Sequence, residues 1–324
     1  MDNITHTMVG AVIGRVFDEK LPPRVAFWTA AISSNMPDLD IIYRFEGAAK
    51  YFAEHRGYSH SVVGIPVEAL VLAGIVWLFV RQKFWWIYLV ALMGGFGHMI
   101  FDLLNPYGTY ALLPFSDKRY ACDLVFIVDP FIWVSLITAL VWGRVRVNLR
   151  RASAGAVLFV LAGYIFLRTG AHQVAARQLL ANPPITAEEK IADYGVYPKP
   201  LEFWQWRYVL ETERNFYRGE VSIFGAGALS SLRYAKVLEN DYVDAAKKSY
   251  LAQVFLGFAR FPYLSLDHIG KNTIVRWDDL RYVAPKEENF FSAQVEVSPE
   301  KQIVELEAPP MLVKRIWRRI KNRD

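Results

Sequence analysis

The sequence predicts a mainly α-helical protein: a polytopic transmembrane helical domain followed by a soluble α+β domain. Three observations predict it. The chain of 324 residues is 53% hydrophobic and 15% aromatic, too apolar for an ordinary water-soluble fold of this size. Nearly all of its long apolar runs precede residue 170, and most of its charge follows. From about residue 200 the pattern turns to short alternating segments rich in β-formers. The expected organisation is a transmembrane helical domain over residues 1–170, a linker over 171–199 and an extracytoplasmic α+β domain with a basic tail over 200–324.

Four segments read as strong membrane helices: 61–80, 84–103, 124–142 and 152–167, the last bracketed by Arg151 and Arg168. Two apolar segments at 5–17 and 25–36 are too short to cross a core of about 30 Å at 1.5 Å per residue. They are expected as a hairpin packed against the longer helices. The turns at 15–24, 81–83 and 143–151 carry nine Lys and Arg against Asp18 and Glu19. The positive-inside rule assigns those turns to the cytoplasm, so the N-terminus, residues 37–60, 104–123 and everything after 168 face outward. Asp2 and the lack of a basic leading segment argue against a cleaved signal peptide.

Beyond 170, an amphipathic stretch leads into Asn182-Pro183-Pro184, which reads as a linker. Segments 204–213, 219–224, 273–282 and 292–307 read as strands and 237–258 as a helix. The tail, 314–323, is basic around Trp317 and reads as a solvated helix or an anionic-lipid contact. A formal net charge of +5 is ordinary for a membrane protein with basic cytoplasmic loops. No basic stripe with interleaved aromatics precedes the tail, so no nucleic-acid partner is expected. Cys122 is the single cysteine, which excludes an intrachain disulfide and a cysteine metal cluster.

Any metal must therefore be held by imidazole and carboxylate, and these residues gather on one face. Four of six histidines fall in the first 100 residues. Asp2 and His6 are four apart, as are His98 and Asp102, a spacing that stacks side chains on one helix face. Asp38 and Asp40 follow Pro37 on a turn, and His55 and His60 flank Gly57 in a loop. Under the topology above, all eight lie at outward helix ends or in outward loops. Taken singly each has a plain alternative: Asp2 a helix cap, Asp38 and Asp40 turn residues, each histidine a solvated one. Together they exceed one ion's needs, so two or three divalent ions are expected, zinc fitting this donor set best, with manganese and iron as alternatives. Glu68 shares a helix face with His60 at membrane depth, where a carboxylate needs a partner. Asp40 and Glu68 are the carboxylates expected to serve catalysis. Asp123 and Asp129 are read as structural or as supporting the ligands, with direct ligation the alternative, and His172 and His268 stand apart.

At these residues the chain resembles the YdjM family. The likeness rests on Thr5-His6 with Gly10, the Pro-Asp-x-Asp turn, His-Arg-Gly-Tyr-Ser-His-Ser at 55–61, His98-x-x-x-Asp102, and the Tyr107-Gly108-Thr109 and Pro114-Phe115-Ser116 loop. It covers roughly residues 1–170. It implies a membrane-bound metal-dependent hydrolase, distantly similar to zinc-dependent phospholipase C and P1 nuclease, with His6, Asp38, His55, His60, His98 and Asp102 at motif positions. Those distant relatives also ligate metal through a free amino terminus. Here Met1 precedes Asp2, so that ligand is expected to be absent. The expected function is hydrolysis of a phosphoester, with a membrane lipid or lipid-linked phosphate as substrate, at the outer face of the cytoplasmic membrane. The alternatives are an ion transporter and a membrane scaffold with a structural metal. A transporter would need acids along the whole path, and only Glu68 and Asp129 lie within the spans.

Overall fold

The computed structural model describes residues 1–81, 83–225, 227–282 and 291–307. The N-terminal half is a helical bundle. α1 (Asn3–Val16) and α2 (Pro23–Ser33) form the expected hairpin. A 3-10 segment, Pro37–Glu46, then leads to α3 (Ala48–Glu54) and a 3-10 turn, Tyr58–His60. α4 (Gly64–Val80), α5 (Phe84–Leu103), α6 (Pro130–Val145) and α7 (Arg150–Ala181) complete the bundle. Its core joins Val9, Val12 and Ile13 of α1 to Val90 and Phe101 of α5, Leu136 of α6 and Leu161 of α7.

Small residues set how closely these helices approach. A Cβ on Gly10 would lie 2.4 Å from the Ala30 carbonyl oxygen, and one on Gly14 2.5 Å from that of Ala26. Gly94 of α5 meets Ala30 from the other side. Backbones in contact without side chains between them are the packing that lipid-embedded helices favour.

Two helical stretches, Phe84–Leu103 and Val147–Ala181, are long and apolar enough to cross a membrane. A third span results if Ala49–His60 and Gly64–Val80, bent by 70° at their junction, count as one. By length and composition, two or three of the four expected spans are met. α4 has 17 residues and α6 has 16, which at 1.5 Å per residue fall short of about 30 Å. The span expected at 124–142 starts only at Pro130. Asp129 is its N-cap, accepting from the Phe131 and Ile132 amides, because proline suits the first helical turn rather than a helix interior. α7 runs on to Ala181, into the segment expected as an open linker. Its last turns bury Ala171, Ala175 and Leu179 against Trp206, Tyr208 and Tyr217.

The C-terminal half holds two four-stranded antiparallel meanders. The first contains β1 (Ile191–Pro198), β2 (Gln205–Thr212), β3 (Asn215–Ser222) and β4 (Ala228–Ala235). α8 (Asp241–Ala246) and α9 (Tyr250–Phe258) replace the single helix expected at 237–258. The second sheet contains β5 (Pro262–Ile269), β6 (Asn272–Asp279), β7 (Ser292–Val297) and β8 (Ile303–Glu307). The strand expected at 292–307 is thus two, turned back through Ser298 and Lys301. The basic tail lies outside the described residues.

This half sits on the loops of the bundle. Phe258 packs with Phe52 and Tyr107. The buried Arg281 donates to the Pro106 carbonyl at 2.7 Å and is held by Asp279. Arg168, expected as an interface anchor, is instead buried, donating to the Leu124 and Glu202 carbonyls and lying over the Trp206 ring.

Candidate metal centre

The chemistry-bearing residues converge where the N-terminal end of α1 meets the C-terminal ends of α2 and α5. The i, i+4 spacing of His98 and Asp102 places both on the buried face of α5. The 3-10 segment after Pro37 brings up Asp38 and Asp40, and the turn after Gly57 inserts His60.

Asp38, His60, His98 and Asp102 form one group and Asp38, Asp40 and His55 a second; within each, the potential ligand atoms lie within 4.8 Å of one another. Asp38 belongs to both. In the first group His60 Nε2 lies 3.4 Å from Asp38 Oδ1 and 3.5 Å from Asp102 Oδ2. His98 Nε2 lies 3.8 Å from Asp38 Oδ1 and 3.4 Å from Asp102 Oδ2. These separations are loose for hydrogen bonds. They match the spacing of about 3.3 Å between ligand atoms around a tetrahedral ion bonded at about 2.0–2.1 Å.

The other side of each ring is already held. His98 Nδ1 pairs with the Ser34 carbonyl at 2.9 Å, His60 Nδ1 with Ser59 Oγ at 2.9 Å, and His55 Nδ1 with Asp40 Oδ1 at 2.8 Å. Partners on one ring nitrogen fix ring orientation and leave the other nitrogen for a metal. His60 Nε2, His98 Nε2 and Asp102 Oδ2 are buried and have no hydrogen-bond partner. Buried polar atoms left bare are costly and rare, and here four converging ligands explain them. The residues therefore fit a divalent ion.

Charge is balanced from the protein side. Arg56 reaches Asp102 at 2.9 Å, donates to Asn105 Oδ1 and lies over the Tyr107 ring. Burial alone would raise the Asp38 carboxyl, but the imidazoles of His60 and His98 beside it prevail and hold it well below the usual carboxylate range. The Asp38 side chain is 14% exposed and that of His55 12%, whereas His60, His98 and Asp102 are fully covered, so the centre opens on the Asp38–His55 side.

The remaining candidates fall as follows. His6 is buried and stacked on His98 at 3.7 Å between ring centroids, with Nε2 3.3 Å from Asp102 Oδ1 and both ring nitrogens bare. Asp40 accepts from the Arg56 amide, His55 and Ser59, so it braces the 55–60 loop as much as it faces the centre. Asp2, expected as a ligand, is instead the cap of α1; its carboxylate takes the Ile4 and Thr5 amides and the Thr5 hydroxyl. Glu68 is half-buried on α4 and belongs to neither ligand group.

Sequence reasoning missed two participants. The Met1 amino group, expected to play no part, is buried and paired with Asp102. Arg56 was passed over inside the His-Arg-Gly motif; the signal was electrostatic, since clustered buried carboxylates require a cation.

A family model described as YdjM inner membrane protein matches residues 1–174. The chain belongs to the YdjM family. Every residue of both ligand groups lies within the matched span. This YdjM-family chain is also 28% identical over 295 residues to "Uncharacterized protein YfhP" of Bacillus subtilis (strain 168), a match covering 87% of each chain. No solved structure matches. The protein is thus a member of an inner-membrane family with an Asp/His centre that could hold metal.

Proposed function

We propose that the protein is a metal-dependent hydrolase of phosphoesters, acting on a phospholipid or other lipid-linked phosphate at the outer face of the cytoplasmic membrane. The observation that carries this reading is the pair of ligand groups sharing Asp38. A shared carboxylate with imidazoles to either side is the donor set of a two-ion centre, and zinc suits it best. Ions bound there would supply Lewis acidity and an activated water at neutral pH, and would clamp phosphoester oxygens.

The chain's own residues do the rest. His60, His98 and Asp102 would hold one ion and His55 and Asp40 the other, with Asp38 between them. Arg56 offsets the negative charge of Asp102 and keeps Asp40 and Asp102 in register, since its amide binds Asp40 while its guanidinium reaches Asp102. The partly exposed Asp38 and His55 mark where substrate enters. The centre lies at one end of the membrane helices, which supports a substrate presented by the bilayer surface. Distant kinship with phospholipase C and P1 nuclease, implied by the motif resemblance, points to the same reaction class.

The test is elemental analysis of detergent-purified protein beside His98→Ala and Asp102→Ala, paired with assays on phosphatidylcholine, phosphatidylglycerol and a soluble phosphodiester. Expected are about two zinc-like ions per chain, as a two-ion site requires, lost in variants that remain folded, with lipid cleaved in preference to the soluble ester. Wild-type protein without tightly bound metal, or metal without any hydrolysis, would overturn the assignment.

A further inference from the structure

The opposite end of the bundle holds a cationic cavity of about 640 Å³. His6 and Arg15 sit nine residues apart on α1, so it lies about 14 Å along the helix from the metal centre. Arg15 from α1, Arg24 from α2, Arg144 from α6 and Arg150 from α7 line it, with Asp18 the acidic residue of the lining. Four guanidinium groups against one carboxylate leave a formal excess of three positive charges in a space the size of a ligand pocket.

The cavity is built rather than incidental. Arg15 is 8% exposed, and its Nη1 is fixed by the Ala139 and Leu140 carbonyls at 3.1 and 2.9 Å. Gly143 makes room for it: a Cβ there would come within 2.7 Å of Nη1. Arg150 stands 3.7 Å from Asp18 and reaches the Gly143 carbonyl. Among the described residues Arg24 and Arg144 pair with no acid. A nearly buried cation surrounded by others at the end of membrane helices calls for an anion. Phe27 and Trp28, the latter 58% exposed, give the cavity an apolar wall on the same side.

We propose that this cavity binds the phosphate headgroup of an anionic phospholipid, with the acyl chains lying along Phe27 and Trp28. A basic pocket between helices at a membrane surface recognises a lipid headgroup by charge, and guanidinium forks suit phosphate oxygens. The site is separate from the metal centre and does not depend on what that centre catalyses.

The test is thermal unfolding of the full chain in neutral detergent, followed by tryptophan fluorescence. Short-chain phosphatidylglycerol, short-chain phosphatidylcholine and inorganic phosphate are titrated separately. Phosphatidylglycerol should raise the midpoint saturably, and phosphatidylcholine and phosphate should not. The double variant Arg24→Gln/Arg144→Gln changes two exposed side chains, so its midpoint without lipid should match wild type. Its half-saturating phosphatidylglycerol concentration should rise at least tenfold, with metal content unchanged. Should the double variant fail to fold, Arg24→Gln alone carries the comparison, with a smaller rise in the same direction. An equal response to phosphatidylcholine, an equal response to free phosphate, or variants that bind as wild type would each overturn the inference.

Discussion

At the scale of residues, the centre is governed by which atoms are left without partners. His60 and His98 each commit Nδ1 to the protein and leave Nε2 bare and buried. Arg56 is the counterweight. Breaking a buried ion pair by removing one partner costs about 3–5 kcal/mol because the other charge is stranded. Arg56→Met should therefore destabilise metal-stripped protein by less than that, because the Met1 amine still faces Asp102, and by less again once divalent metal restores positive charge beside the carboxylate. Unfolding midpoints with chelator and with added zinc read the difference; equal losses in both conditions would mean that Arg56 does not balance this carboxylate. The His, Asp and Gly spacings made most of this site legible in the sequence. Asp2 misled because i, i+4 spacing is shared by ligand pairs and by a cap followed by an unrelated histidine. Arg56 and the Met1 amine were hidden because their role is charge balance across sequence distance, to which periodicity is blind.

At the scale of elements, helix contact sets the centre's geometry. Gly10 and Gly14 let α1 lie on α2 at Ala30 and Ala26, which carries His6 beside His98. Gly10→Val should force these backbones apart, lowering both the unfolding midpoint and the bound metal, whereas a valine at Gly74, with open space around it, should do neither. Metal content of the two variants separates a packing effect from a general one. The β half was less legible. β4, Ala-Leu-Ser-Ser-Leu-Arg-Tyr-Ala, is mostly exposed and shows no alternation, and β1 is exposed along its first half. The expected helix at 237–258 breaks at Lys247–Ser249, where Ser249 caps α9 by accepting from the Ala252 amide. One contact ties the segment between α7 and β1 to the first sheet in a pH-dependent way. Glu189 accepts hydrogen bonds from Tyr217, Asn215 and Thr212, which bring its pKa down to about 2 from an ordinary 4.5. A carboxyl lowered on folding stabilises above its unfolded value and loses that contribution as pH falls through its folded value. Glu189→Gln should thus lower the midpoint at neutral pH, with the gap to wild type closing between about pH 4.5 and pH 2.

At the scale of the whole molecule, the two ends of the bundle are chemically opposite. One end gathers Asp38, Asp40, Asp102 and the histidines under the C-terminal sheets; the other gathers arginines around a cavity. Under the positive-inside rule the proposed orientation has the basic end in the cytoplasm and the candidate metal centre outside. The chain carries its own reporter for this. Cys122 is its single cysteine and is exposed, in the segment between α5 and α6 that also reaches the centre. Its amide binds the Leu103 carbonyl, one residue beyond Asp102, so it marks the face on which the ligands sit. Although the residue is exposed, partial desolvation of the thiol and the neighbouring Asp123 charge push it above the usual range, so labelling needs mildly alkaline buffer. A membrane-impermeant maleimide applied to intact spheroplasts should modify Cys122 as fully as it does after lysis, and a Cys122→Ser control should stay unlabelled. Protection until lysis would place the centre in the cytoplasm. The charge rule would then have failed for this chain, and a lipid substrate would have to be drawn from the inner leaflet.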